Sequence, residues 1–100
     1  MIKNIITEQK LRKYFNITET ALTMAKESGN RTKLTEERLD FLDMIERYVS
    51  DAHHFKNNDD WINAFAALNY AHGWLDSGAR LGIFDVHDDV LFTVDGKDNK

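Results

Sequence analysis

Cysteine is missing from this chain of 100 residues, so disulfides and thiolate metal sites are excluded. Proline is missing too, so nothing forces a kink and long helices are allowed. Glycine is scarce, and Gly73, Gly78 and Gly82 sit in or at the end of a helical pattern, where they form no phosphate-binding loop. No apolar run approaches the ~20 residues that a membrane span needs. The opening MIKNIITEQKLRKYF lacks the continuous apolar stretch of a secretory signal, and a cytoplasmic location is expected. Zinc-ligand spacing and a nucleophile–base arrangement are both absent, so no catalytic residue, metal site or cofactor is expected and the protein reads as non-enzymatic. An excess of positive charge is also lacking. The net charge is −4, and residues 51–100 carry four Lys and Arg against nine Asp and Glu. A duplex-binding surface needs a basic patch, so nucleic acid is an unfavoured partner, with only Lys10, Arg12 and Lys13 on the first helix pointing that way.

What is present is helical periodicity. A first helix is expected over about residues 7–28, with Leu11, Tyr14, Phe15, Thr18, Ala21, Leu22 and Ala25 on one face and Gly29 in the left-handed conformation that ends helices. A second is expected after Thr35, whose hydroxyl would cap it, with Glu36 and Glu37 at the positive end of its dipole. Its stripe is Phe41, Met44, Ile45, Tyr48, Val49, Ala52 and Phe55, and Asn57, Asn58 and Asp59 stop it.

The third helix should start at Asp59 or Asp60 and end near Leu81, with Gly82 left-handed. From Trp61 to Ala79 its only formal charge is Asp76. Trp61, Phe65, Leu68, His72, Leu75 and Ala79 define one face, which Ala64, Ala67, Ala71, Trp74 and Gly78 widen. The remaining arc of Asn63, Ala66, Tyr70, Gly73 and Ser77 is uncharged and needs a cover. The segment over residues 83–94, apolar at Ile83, Phe84, Val86, Val90, Leu91, Phe92 and Val94, is the expected cover, with Asp85, Asp88 and Asp89 facing water. The fold class is therefore all-α: an antiparallel, up-down-up three-helix bundle with a C-terminal strap on the third helix. Residues 1–94 make one domain and residues 95–100 a polar tail that should be frayed.

Two constellations on this frame carry functional expectations. His72 lies mid-helix on the apolar face, with Asn69, Asp76 and Arg80 along one edge. This edge reads either as a ligand pocket or as a core histidine held by a neighbouring helix beside an Asp76–Arg80 pair. Asp51 and His54 on the second helix would join the pocket at the seam of helices two and three, where paired helices can build carboxylate–histidine sites. The plainer reading of that polar strip is solvated ion pairing among Asp43, Arg47 and Asp51. The second constellation is the arc of Ala66, Tyr70, Gly73 and Ser77, where small residues let another backbone approach; left uncovered, it should bury itself in a dimer. Asp85, His87, Asp88 and Asp89 lack the order of a calcium loop and read as a solvated acidic turn.

The run RYVSDAHHFKNNDDWINAFAALNYAHGWLDSGARLGIFDV also carries a resemblance. Tyr48 with Asp51 and Ala52, the Ala64-Phe65-Ala66 run, the octet from Asn69 to Asp76, Arg80-Leu81-Gly82, Phe84 and the Leu91-Phe92-Thr93 ending resemble a family of short, mostly archaeal proteins catalogued as domain of unknown function 357. The resemblance runs from Leu39 to Thr93, with a looser match at the first helix, and implies a three-helix bundle with no assigned activity. Occasional fusion of that family to nucleotidyltransferase-like domains implies an accessory role in nucleotide metabolism. More loosely, the spacings of Arg47 to His53 or His54 and of Arg80 to His87 resemble those of RNA-cleaving HEPN domains, although Arg47 falls mid-helix, where that motif is not expected. The sequence thus favours an interaction module that binds a protein partner or itself, the alternative being a protein that binds a small molecule, nucleotide or metal at the helix 2/helix 3 seam.

Overall fold

The computed structural model describes residues 5–92. Three helices follow one another: α1 (Glu8–Glu27), α2 (Thr35–Asn57) and α3 (Trp61–Leu81). No strand occurs among the described residues. The expected residue Val94 and the tail over 95–100 lie outside them.

The first helix forms as its sequence dictates. The Thr7 side chain accepts from the Lys10 amide at 3.1 Å, and Leu11, Phe15, Thr18, Ala21, Leu22 and Ala25 are buried. Its end is different. Ser28 closes it in an extended conformation (φ −81, ψ 163) and donates its hydroxyl to the Ala25 carbonyl at 2.7 Å. Among the described residues only Asp59 and Gly82 have positive φ, so the expectation for Gly29 is corrected. The reason is a long-range substitute for a local cap. Arg38 of α2 reaches back with its guanidinium to the carbonyls of Ala25 (3.1 Å), Lys26 (3.3 Å), Ser28 (2.8 Å) and Gly29 (3.1 Å). These carbonyls are satisfied by a cation at the negative pole of the helix, and no left-handed turn is needed.

Thr35 is likewise inside α2, with Leu34 at the cap position and no side-chain cap. The connection is organised one turn earlier: Asn30 Oδ1 accepts from the Thr32 amide (2.8 Å) and hydroxyl (2.7 Å), and Thr32 Oγ1 accepts from the Leu34 amide (2.9 Å). The α2–α3 connection meets expectation. Asp60 donates its amide to Phe55 O at 2.8 Å and Asp59 to Lys56 O at 3.0 Å, a Schellman turn with Asp59 left-handed at φ 61. Asp60 Oδ1 then caps α3 through the Asn63 amide, and Gly82 (φ 98) ends it.

The core forms two clusters. Leu11 and Phe15 meet Ala52 of α2 and Ala64, Ala67 and Leu68 of α3. Ala21, Leu22 and Ala25 meet Ile45 and Val49 of α2, and Ala71, Leu75 and Ala79 of α3. The centre of the buried α3 face is thus shifted from the expected Trp61–Phe65–His72 line to the row of Ala64, Ala67, Ala71, Leu75 and Gly78, while Trp61, Phe65, His72 and Trp74 sit half-buried on its flanks. Close helix approach selects the small residues for the contact line, and the larger rings reach over the sides. Trp74 packs edge-to-face on Phe41 (4.8 Å) and Phe65 on Tyr14 (5.0 Å).

Past Gly82 the chain turns toward the α1–α2 connection, where Asp85 N–H donates to Gly29 O and Arg31 N–H to Gly82 O, both at 2.9 Å. Ile83, Phe84, Val86 and Phe92 are buried with the larger cluster, while Val90 is 87% exposed. Asp85 pairs with Arg31 at 3.1 Å, and Asp88 accepts from the amides of Val90 and Leu91, so both are half-buried and engaged where solvation was expected. The back of α3 lies elsewhere: Asn63, Ala66, Tyr70, Gly73 and Ser77 are all exposed.

Candidate functional site

Three surfaces of this bundle hold chemistry, and the first is the polar edge around His72. Phe65, Leu68 and Leu75 fix α3 against the core and leave His72 facing α1, because the α2–α3 contact is filled by the apolar stripe of α2. His72 Nδ1 lies 3.4 Å from the Thr18 hydroxyl, and Nε2 lies 2.6 Å from the Leu91 carbonyl. A carbonyl only accepts, so Nε2 carries the proton, and in the neutral ring Nδ1 then accepts from Thr18. Asp76 Oδ1 stands farther off, at 3.9 Å from Nε2. The ring therefore joins α1, α3 and the C-terminal segment with both of its nitrogens engaged.

Beside it is a small cavity of about 290 Å³ lined by Tyr14, Ile17, Thr18, Asn69, His72, Gly73 and Asp76. Three of the expected pocket residues, Asn69, His72 and Asp76, thus come together, but at the α1–α3 seam instead of the α2–α3 seam. Arg80 is exposed one turn farther along α3. Asp51 and His54 are exposed on α2 and take no part in the cavity; the His54 ring lies 3.4 Å from the Asn58 amide nitrogen. Among the described residues, no three His, Cys, Asp or Glu side chains gather to hold a metal ion.

The second surface is the outer face of α3. Asn69, Tyr70, Gly73, Trp74 and Ser77 line a shallow depression of about 310 Å³. Tyr70 is 63% exposed and stacks on Tyr48 of α2, with centroids 5.4 Å apart and planes 13° from parallel. A Cβ added at Gly73 would meet nothing within 4 Å. Ala66 continues the face toward Ile62, which is 71% exposed. The interface residues expected from sequence are thus open to solvent in the single chain.

The third surface was not expected as a site. Gln9, Arg12, Lys13, Phe15, Asn16 and Glu19 of α1, with His53, Lys56 and Asn57 of α2, line a groove of about 740 Å³. Its floor is Phe15, with the His53 ring tilted over it at 4.4 Å, and His53 Nε2 reaches Glu19 Oε2 at 2.7 Å. The sequence carries only half of its signal, the Arg12–Lys13 pair, because the rest comes from a helix forty residues away. Of the residues in the looser RNase resemblance, Arg47 pairs with Asp43 at 3.0 Å, His53 turns to α1, and His87 lies 3.1 Å from Asp85.

No helix among the described residues is long and apolar enough to cross a membrane. No curated protein and no solved structure matches the chain. One family does, that described as "Protein of unknown function (DUF357)", over residues 13–84. The match takes in most of α1, where the resemblance read from sequence was looser, and stops at Phe84, short of the Leu91-Phe92-Thr93 ending. With nearly three-quarters of its length so matched, from the first helix through the turn after the third, the chain belongs to this family of unknown function.

Proposed function

We propose that this protein is a non-enzymatic helical interaction module that pairs with a second copy of itself through the outer face of α3. The observation that carries this is the uncharged, solvent-facing row of Ile62, Ala66, Tyr70, Gly73 and Ser77. A helix face without charge is normally covered. Small residues along it let a partner backbone approach to helix-packing distance. The row runs along its own helix, so a two-fold axis across Gly73 would bring identical surfaces together. A stable interface takes about 800 Å² from each partner, more than one helix face supplies, so the Tyr48–Tyr70 and Phe41–Trp74 ring pairs beside the row belong to the contact as well. A cytoplasmic, cysteine-free accessory protein fits this role.

The test is sedimentation of the wild type and of Gly73→Glu. The expected result is a dimer for the wild type and a monomer of unchanged helicity for the variant. A wild type that stays monomeric at high micromolar concentration overturns the proposal.

A second reading rests on the α1–α3 cavity. At about 290 Å³ it is at the small end of ligand pockets, and Asn69 and Asp76 supply polar groups on one wall. Binding of a small molecule, nucleotide or divalent metal there would raise the melting temperature in a thermal-shift screen. No shift with any nucleotide or metal would remove this reading.

A further inference from the structure

The groove between α1 and α2 is a place where the charge of the molecule is inverted. The chain as a whole carries −4, yet the groove between α1 and α2 presents Arg12, Lys13 and Lys56 against the single carboxylate of Glu19. That carboxylate is already engaged by His53 at 2.7 Å. Among the described residues Arg12 makes an exposed i,i+4 pair with Glu8 at 3.4 Å, worth a few tenths of a kcal/mol, so a ligand can take it over at little cost. Lys13 and Lys56 make no ion pair among the described residues. Lys56 has a plainer role at the end of α2, facing the helix dipole. The terminal carbonyls there are, however, already taken by the amides of Asn58, Asp59 and Asp60 in the Schellman turn, which leaves the ammonium free for other partners.

The other lining groups suit an organic anion better than a bare ion. Phe15 is buried beneath the groove, and the His53 ring tilted over it offers an aromatic surface. Gln9, Asn16 and Asn57 supply amides that donate and accept at the rim. A volume of about 740 Å³ falls within the range of metabolite-sized pockets.

We propose that this groove binds a phosphate-bearing small molecule, with the phosphate held by Arg12, Lys13 and Lys56 and the organic part lying over the Phe15–His53 surface. Guanidinium and ammonium groups converging from two helices are the donors that phosphate oxygens select. The site is separate from the α3 face and from the His72 cavity, so it stands or falls independently of both.

The test is amide chemical-shift titration of the full chain with pyrophosphate, at ionic strength held constant with sodium chloride. Saturable shifts are expected, confined to residues 9–19 and 53–57. Lys56→Glu should weaken binding about tenfold or more, and Lys13→Glu comparably, as loss of a charge-assisted contact requires. Lys10→Glu changes charge equally but lies outside the groove, and should leave the affinity within about twofold. Each variant's spectrum reports at once whether it is folded. Shifts that fail to saturate, or that persist undiminished in both groove variants, would overturn the assignment, as would equal weakening by Lys10→Glu, which would mean diffuse charge attraction only.

Discussion

The two ends of this bundle are finished by opposite means. Where α1 ends and α2 begins, Arg38 gathers five main-chain carbonyls, the fifth being Ile83 O at 2.5 Å, and its guanidinium lies 5.6 Å from the centre of the Phe84 ring. Phe84 in turn is fully buried against Gly78, and Arg31–Asp85 closes the outside. At the other end, where α2 passes into α3, the backbone satisfies itself in a Schellman turn, and the side chains of Lys56, Lys13 and Arg12 are left facing a groove. The first end spends its polar groups on the fold. The second leaves them available, and that is the end where a ligand can gain something. Stability and binding should therefore separate along the length of the molecule.

The largest effect should come from emptying the closed end. Phe84→Ala removes a ring with no exposed surface and should cost about 3–5 kcal/mol, measured as a fall in the urea midpoint. A loss below about 1 kcal/mol would mean that the segment after α3 contributes little to the core.

Next comes a matched pair of charge removals. Arg38→Met keeps the apolar stem but leaves the α1 carbonyls and Ile83 O without their donor, and should cost about 2–3 kcal/mol. Lys56→Met, at the open end, should change stability by no more than about 0.5 kcal/mol while weakening anion binding. Equal costs for the two would erase the contrast between the ends.

How far these ends could be read from sequence follows from the range of the interactions. The faces of α1 and α2, the Asp60 cap and the Gly82 stop are set within four residues of one another, and all are legible. The Gly29 and Thr35 assignments fail because Arg38, Asn30 and Thr32 do the capping instead, and Arg38 lies nine residues from Gly29. Nothing local marks Arg38; in the sequence it is one more cation on a charged turn. The His72 edge is legible as a polar cluster, but its partner helix is not, because the choice between α1 and α2 depends on Thr18 and on the close fit of the α2 stripe. The outer arc of α3 is readable because absence of charge is visible without any knowledge of contacts.

The most telling comparison for function comes from two glycines in the same helix. Gly→Ala in a helix interior should gain about 0.5–1 kcal/mol from backbone entropy and helix propensity at either site. At Gly78 the added methyl meets the Phe84 ring at less than contact distance, so overpacking should reverse the sign and cost about 1–3 kcal/mol. At Gly73 the methyl meets nothing in the single chain, so Gly73→Ala should stabilise the monomer by the full propensity gain. A glycine in an exposed helix interior is thus a cost that the isolated chain has no use for, and close approach by a second backbone would supply the use. Unfolding followed across a range of protein concentrations tests this. If a dimer forms across Gly73, the alanine variant should gain stability when dilute and lose that advantage as concentration rises. A gain that is the same at every concentration would leave Gly73 without a role in association and would move the interface off this face of α3.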